Sequence, residues 1–367
     1  MAHSFSDLSR VASGFRLTGT IQSILPYGSG HINDSYQVIT VEPDCYDYIL
    51  QRINHRVFPD VPALMDNISR VTSHIRNKLE AIPGTDPDRE VLTLIPTHEG
   101  KSYLIDQDGN YWRVYIFISD TRSYDIVDSP EKAYEGGRMF GRFQAMIADL
   151  PGAPLKEIIP NFHNIEWRLD IFRSTLERNP KNRAGDVKKE TAFVLERAHE
   201  MGTILRLGQD RKIPLRITHN DTKFNNVLLN QQDKGLCVID LDTVMPGYVH
   251  YDFGDSIRTS TNTGAEDDPD LSRVEMDIRL FEGYTSGFLD ETRSTLTGTE
   301  IDYLALSGKL LPYMIGLRFL TDYVDGDNYF KIKHEHHNLQ RARAQFKLLQ
   351  SMERQFEEMK RMVMRYS

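Results

Sequence analysis

The stretch from Arg216 to Arg258 reads RITHNDTKFNNVLLNQQDKGLCVIDLDTVMPGYVHYDFGDSIR, and it sets His, Asp and Asn at fixed spacings around two short apolar runs. Asn226 to Asn230 (NVLLN) and Leu236 to Ile239 (LCVI) have the composition of strands. The polar Gln231 to Gly235 between them has the length and the glycine of a hairpin loop. A hairpin therefore follows the loop from His219 to Asn225, with Asp221 and Asn226 at its entrance and Asp240 and Asp242 at its exit. Three carboxylates and an amide are expected to converge on one point. Hard oxygen ligands with no accompanying Cys suit Mg2+, which takes one or two carboxylates and leaves its other positions to water and phosphate oxygens. The pattern points to phosphate carried on a nucleotide. An H-x-D or a D-x-D alone marks capping or turn chemistry far more often than a site. The two together, in strand context, carry much more weight.

The pattern H-N-D-x-x-x-x-N followed by I-D-x-D, at Asp221, Asn226, Asp240 and Asp242, resembles the catalytic and metal-binding loops of the protein-kinase-like aminoglycoside phosphotransferase superfamily. Within it, HNDTKFNNVLL and CVIDLDTVMPG, together with GSGHINDSY near the N-terminus and GLRFLTDYVDGDNYFKIKHEHHN near the C-terminus, are most similar to the N-acetylhexosamine 1-kinases. The resemblance implies an α+β, two-lobed fold, with a small antiparallel-sheet N-lobe over residues 1–120 and a larger, mainly helical C-lobe over 121–367. It implies ATP and Mg2+ as cofactors and phosphorylation of the 1-hydroxyl of N-acetylglucosamine or N-acetylgalactosamine. Related families phosphorylate aminoglycosides, choline or homoserine, and a binding module without turnover is a further alternative.

Residue roles follow from the same resemblance. Asp221 orients the attacking hydroxyl or accepts its proton, while Asn226 and Asp240, with Asp242 beside them, hold Mg2+. Gly28 and Gly30 lie in the loop that covers the nucleotide phosphates. His31, Asp34, Arg318 and Tyr329 match positions that bind sugar, as does Asp221. Arg52 occupies the place of the phosphate-pairing Lys of protein kinases, with Asp66 the nearest candidate for its helix partner. However, Gln51 and Arg52 alternate faces, so only one of them can point inward. Backbone groups from Phe117 to Ser119 would face adenine. His219 braces the loop, and Asp252 and Asp255 support it from below.

Elsewhere, periodicity gives strands in TIQSILPYG, SYQVITV and YILQRIN, then in VLTLIPT, SYLID and WRVYIFI. Ser129 and Pro130 start a helix whose Ala133, Phe140, Phe143, Ile147 and Leu150 share one face. Further helices are expected over 164–177, 186–207 and 271–288, from a capping box at Thr299 and Asp302 through Tyr323, and over 338–364.

At 40% hydrophobic and 26% charged residues the composition is that of an ordinary globular protein, and a net charge of −9 argues against nucleic acid as partner. The N-terminus lacks the charged start and apolar run of a signal peptide, and no window has the length of a membrane span, so a cytoplasmic location is expected. Cys45 and Cys237 have no metal spacing, and Cys237 reads as a small buried hydrophobe. The cluster His334, His336 and His337 reads as solvated surface rather than a metal site.

Overall fold

Alternating apolar positions build an antiparallel sheet from the N-terminal third of the chain in a computed structural model that describes residues 4–28 and 32–367. Its strands β1 (Ile21–Pro26), β2 (Asp34–Thr40), β3 (Tyr48–Ile53), β4 (Leu104–Ile105) and β5 (Tyr111–Ile116) run in the order β1-β2-β3-β5-β4. One face carries Val38, Tyr48, Leu50, Trp112 and Val114 and packs on Leu8, Ala12 and Phe15 at the N-terminus. The other face, with Ile53 and Tyr115, meets Leu64, Met65, Ile68 and Val71 of the helix Val61–Glu80. The run VLTLIPT does not become a strand. It makes only isolated bridges, Leu94 to Tyr115 and Thr97 to Phe15, and Pro96 within it has no N–H to give to a ladder.

The remainder is mainly helical, so the α+β class expected from the sequence is observed. Ser129 caps the helix Pro130–Ile147, which packs along the helix Ile278–Thr292. A Cβ on Gly137 would lie 2.1 Å from the Tyr284 carbonyl, and one on Gly287 would lie 2.1 Å from that of Tyr134, so only glycine lets these backbones approach so closely. The helix Leu304–Asp325 is almost wholly buried and carries Arg318 near its C-terminal end. Several boundaries differ from expectation. The 186–207 helix is interrupted at Gly202, the C-terminal helix at Gln355, and the 271–288 helix begins only at Ile278 behind its N-cap Asp277. The capping box is formed by Thr297 and Glu300, not by Thr299 and Asp302. Among the described residues no helix is long and apolar enough to cross a membrane.

Candidate active site

Two small sheets frame the site: β6 (Arg216–Thr218) pairs with β9 (Met245–Gly247), and β7 (Val227–Leu229) pairs with β8 (Gly235–Val238) as the expected hairpin. The loop leaving β6 hangs from Asp252 on the helix Val249–Ser260. The backbone N–H groups of His219 and Asn220 donate to its carboxylate at 2.8 and 2.7 Å, Gln144 adds a third donor at 2.6 Å, and Thr222 Oγ1 donates to its carbonyl at 2.6 Å. Burial pushes the Asp252 carboxyl up, and these donors and His219 oppose that rise. His219 Nε2 donates to the Ile239 carbonyl at 2.9 Å while Nδ1 accepts from the Asp221 N–H at 3.3 Å, and its ring is edge-on to Phe140 and Phe143. Both ring nitrogens are thus engaged in holding the loop, and the apolar stripe of the helix Pro130–Ile147 is its backing.

Asp221 projects from this braced loop with Lys223 Nζ 3.0 Å from its Oδ1. Burial opposes its charge, but Lys223, His219 and Arg258 outweigh that, so the carboxyl lies below its ordinary value and is ionised at neutral pH. The Asn226 side chain donates to the Asp221 carbonyl at 2.8 Å, which fixes its amide and leaves its oxygen as the free end. Asp240 sits in the left-handed region at φ 60°. It is exposed to solvent. Burial, with Asp242 and Asp221 close by, pushes its carboxyl up to about 6. A carboxylate crowded by negative charge beside a fixed amide oxygen fits a divalent cation, which would relieve that crowding.

Asp242, expected beside the metal ligands, carries two further contacts. It is buried, its Oδ2 accepts from Asn33 Nδ2 at 2.6 Å, and its Oδ1 is paired with the buried Arg113 of β5. It thereby ties the sheet to the loop after β8. Asp221 and Asp242 both bear on Asp240, but among the described residues no group of three acidic, His or Cys side chains is placed to hold a metal by itself.

Strand alternation also decides the Arg52 question. Arg52 pairs with Asp34, its partner across β2 and β3, on the sheet face that carries Leu50 and Trp112. The side chain on the cleft face is Gln51, whose Oε1 accepts from Arg113 Nε at 3.0 Å. The sheet's buried cation is thus Arg113, its counterion is Asp242, and Asp66 is exposed beside Arg70. A lone Arg inside the apolar run WRVYIFI was the available signal for Arg113, because a buried charge requires a partner. Gly28 has φ 76° and an open Cβ position, whereas Gly30 and His31 lie outside the described residues. The Phe117 N–H donates to the Asp47 carbonyl at 2.8 Å, and the Ser119 carbonyl accepts from Arg89 at 2.9 Å.

On the far side of Asp221, Arg318 lies 5.4 Å from the Phe162 ring, 5.8 Å from that of Tyr329 and 5.5 Å from that of Phe330. The loop bearing the last two is wound onto Asp322, which accepts the backbone N–H groups of Asn328, Tyr329 and Phe330 at 2.8–2.9 Å. His163, which the sequence did not single out, is buried here with Nε2 3.2 Å from the Asn220 carbonyl. Burial, then Arg318, lowers its ring to about 3, so it is neutral. Of the His cluster, His337 is buried against Asp267 at 3.0 Å rather than solvated.

The model of the APH phosphotransferase enzyme family matches residues 23–285. Among solved structures, an aminoglycoside phosphotransferase from Alicyclobacillus acidocaldarius is 14% identical with a TM-score of 0.61, and the match covers 95% of this chain and 96% of that one. An amicoumacin kinase in complex with AMP-PNP, Ca2+ and Ami is 14% identical with a TM-score of 0.59, covering 94% and 93%. A choline/ethanolamine kinase family protein from Mesorhizobium loti is also 14% identical, with a TM-score of 0.53 and coverage of 95% and 93%. At such identities the likeness is one of fold: a five-stranded antiparallel sheet beside a larger helical part.

Proposed function

We propose, for a chain that belongs to the APH phosphotransferase enzyme family, that it transfers the γ-phosphoryl group of ATP to the 1-hydroxyl of an N-acetylhexosamine. In this reading residues 1–120 cover the nucleotide and residues 121–367 supply the catalytic loop and the acceptor pocket. The observation that carries the transfer is the ionised Asp221 on a loop braced from Asp252, beside Asp240 and the oriented Asn226. Asp221 aligns the acceptor hydroxyl and takes its proton as the O–P bond forms. A carboxyl held this low is a better orienter than base, which suits a loose transition state in which the proton leaves late. Asp240 and Asn226 would hold Mg2+, which when bound neutralises charge on the phosphate oxygens.

The acceptor half rests on the resemblance of GSGHINDSY and GLRFLTDYVDGDNYF to the N-acetylhexosamine 1-kinases and on the positive charge of Arg318 beside the Phe162, Tyr329 and Phe330 rings. His31, Asp34, Arg318 and Tyr329 are the proposed sugar contacts, with Asp34 already engaged by Arg52. An arginine there disfavours the runner-up, a choline or aminoglycoside kinase, because a cationic acceptor would face like charge. The test is ATP consumption by the full chain with Mg2+ across N-acetylglucosamine, N-acetylgalactosamine, choline and an aminoglycoside. Turnover with the acetylated sugars supports the reading. Turnover with the cations alone leaves only the kinase half standing, and no turnover with any acceptor favours a binding module.

A further inference from the structure

We propose that Arg168 joins Arg318 in a two-arginine subsite that grips the oxygen-bearing, uncharged or anionic end of the acceptor and turns away acceptors carrying an ammonium group. The proposal rests on the reading of this cleft as a kinase acceptor site, and it assigns a specificity role to a residue that no sequence motif marks.

Arg168 is the fourth residue of the helix Ile165–Arg178. Its Nη2 donates to the Phe162 carbonyl at 2.9 Å, the same residue whose ring faces Arg318, and its guanidinium stacks 4.9 Å from the Trp167 ring. Its Nε is buried with no hydrogen-bond partner. Among the described residues neither Arg168 nor Arg318, both half-buried, forms an ion pair, whereas the fully buried Arg113 and Arg258 are paired with Asp242 and with Asp255 and Glu266. Two guanidinium groups near each other without an anion is a costly arrangement, because each loses water and repels the other. Burial, then Arg318, draws the Arg168 guanidinium down to about 9. An acceptor oxygen bound by both would relieve that cost, and the planar fork of guanidinium suits a carbonyl or carboxylate.

Position ties this pair to the reaction. Both arginines contact Phe162, whose ring lies 4.6 Å from that of His163, and His163 Nε2 is 3.2 Å from the Asn220 carbonyl in the loop that carries Asp221. Arg113 is buried and already paired with Asp242, whereas Arg168 and Arg318 share Phe162 and have no carboxylate partner among the described residues, which leaves them for the acceptor. An acetamido carbonyl meets the requirement, as does the carboxylate of an acidic sugar, whereas the free amine of an unacetylated hexosamine does not. A purely packing role for Arg168 on Trp167 would not explain the empty Nε or the missing counterion.

The test has two arms on the full chain. In the first, sulfate is titrated at constant ionic strength and followed by tryptophan fluorescence, which reports here because Trp167 touches Arg168 and the only other tryptophan, Trp112, is buried. A saturable change that is lost in both Arg168→Met and Arg318→Met is expected, and its persistence in Arg168→Met would overturn the subsite. In the second, Arg168→Met should lower kcat/KM for N-acetylglucosamine by about 10-fold or more with KM for ATP unchanged, and should shrink the preference for N-acetylglucosamine over glucosamine. Arg168→Lys, keeping charge without the fork, should recover part of the loss. A kcat/KM within about threefold of wild type and an unchanged preference would overturn the proposal. If sulfate binding depends on both arginines but no acetylated hexosamine is phosphorylated, the subsite stands and the substrate reading falls. If acetylated hexosamines are phosphorylated and Arg168→Met changes nothing, the reverse holds.

Discussion

Replacing Asp240 by asparagine should stabilise the fold while abolishing cation-dependent nucleotide binding. The residue holds a φ of 60°, which asparagine tolerates as readily as aspartate, so the backbone is undisturbed. In the wild type the carboxyl is raised from 3.8 to about 6 by burial and by Asp242 and Asp221. At ~1.4 kcal/mol per pH unit that rise is worth about 3 kcal/mol if unscreened. Asp240 is open to solvent along the cleft, so screening leaves about 1 kcal/mol, a rise of roughly 1–2 °C in Tm for a chain of this size. A carboxyl raised in the folded state binds its proton more tightly there than in the unfolded chain. Wild-type stability therefore declines as pH rises from 3.8 through 6, and the advantage of Asp240→Asn grows over that window and is complete above it. Thermal unfolding in chelator, from pH 4 to pH 8, reads both the sign and the window. A variant less stable than wild type at pH 8 would refute the reasoning, since it would mean that a cationic side chain already holds Asp240.

Asp242→Ala should do the opposite, costing about 3–5 kcal/mol by leaving Arg113 buried without its counterion, as denaturant unfolding would record; a cost near zero would show the pair to be unimportant. Asp221→Asn should reduce kcat by about 10²- to 10⁴-fold while nucleotide affinity stays near wild type, and activity within threefold would remove Asp221 from the mechanism. In Asp240→Ala, nucleotide affinity should no longer respond to Mg2+; a variant that still binds nucleotide much more tightly with Mg2+ than with chelator would show that Asp240 is not the ligand. Arg318→Ala should lower kcat/KM for the sugar by about 10- to 100-fold with little change in KM for ATP, and equal losses for both substrates would point to a general structural role.

The hairpin, the sheet strands and the capped helix Pro130–Ile147 were legible because each rests on a local signal: turn glycine, alternation, or Ser129 followed by Pro130. The candidate catalytic loop was legible through its residue types and spacing, and Asp252 holds it through the His219 and Asn220 N–H groups. What the sequence could not assign were pairings across long separations. Asp242 has the spacing of a metal ligand, and only the fold reveals that Arg113 and Asn33 claim it. Arg52 held the expected strand position, but alternation turned it to the other face, and the cleft received Gln51 and Arg113 instead. Arg168 and His163 have no motif, since their contacts with the Phe162 and Asn220 carbonyls arise only in the fold.

The central claim, phosphoryl transfer to the anomeric hydroxyl of an acetylated hexosamine, is tested most directly by phosphorus NMR of the product formed from ATP, Mg2+ and N-acetylglucosamine or N-acetylgalactosamine. The account predicts a single sugar phosphate whose phosphorus couples to the anomeric proton, formed by wild type and not by Asp221→Asn. A 6-phosphate, or a phosphorylated product only from cationic acceptors, would contradict it.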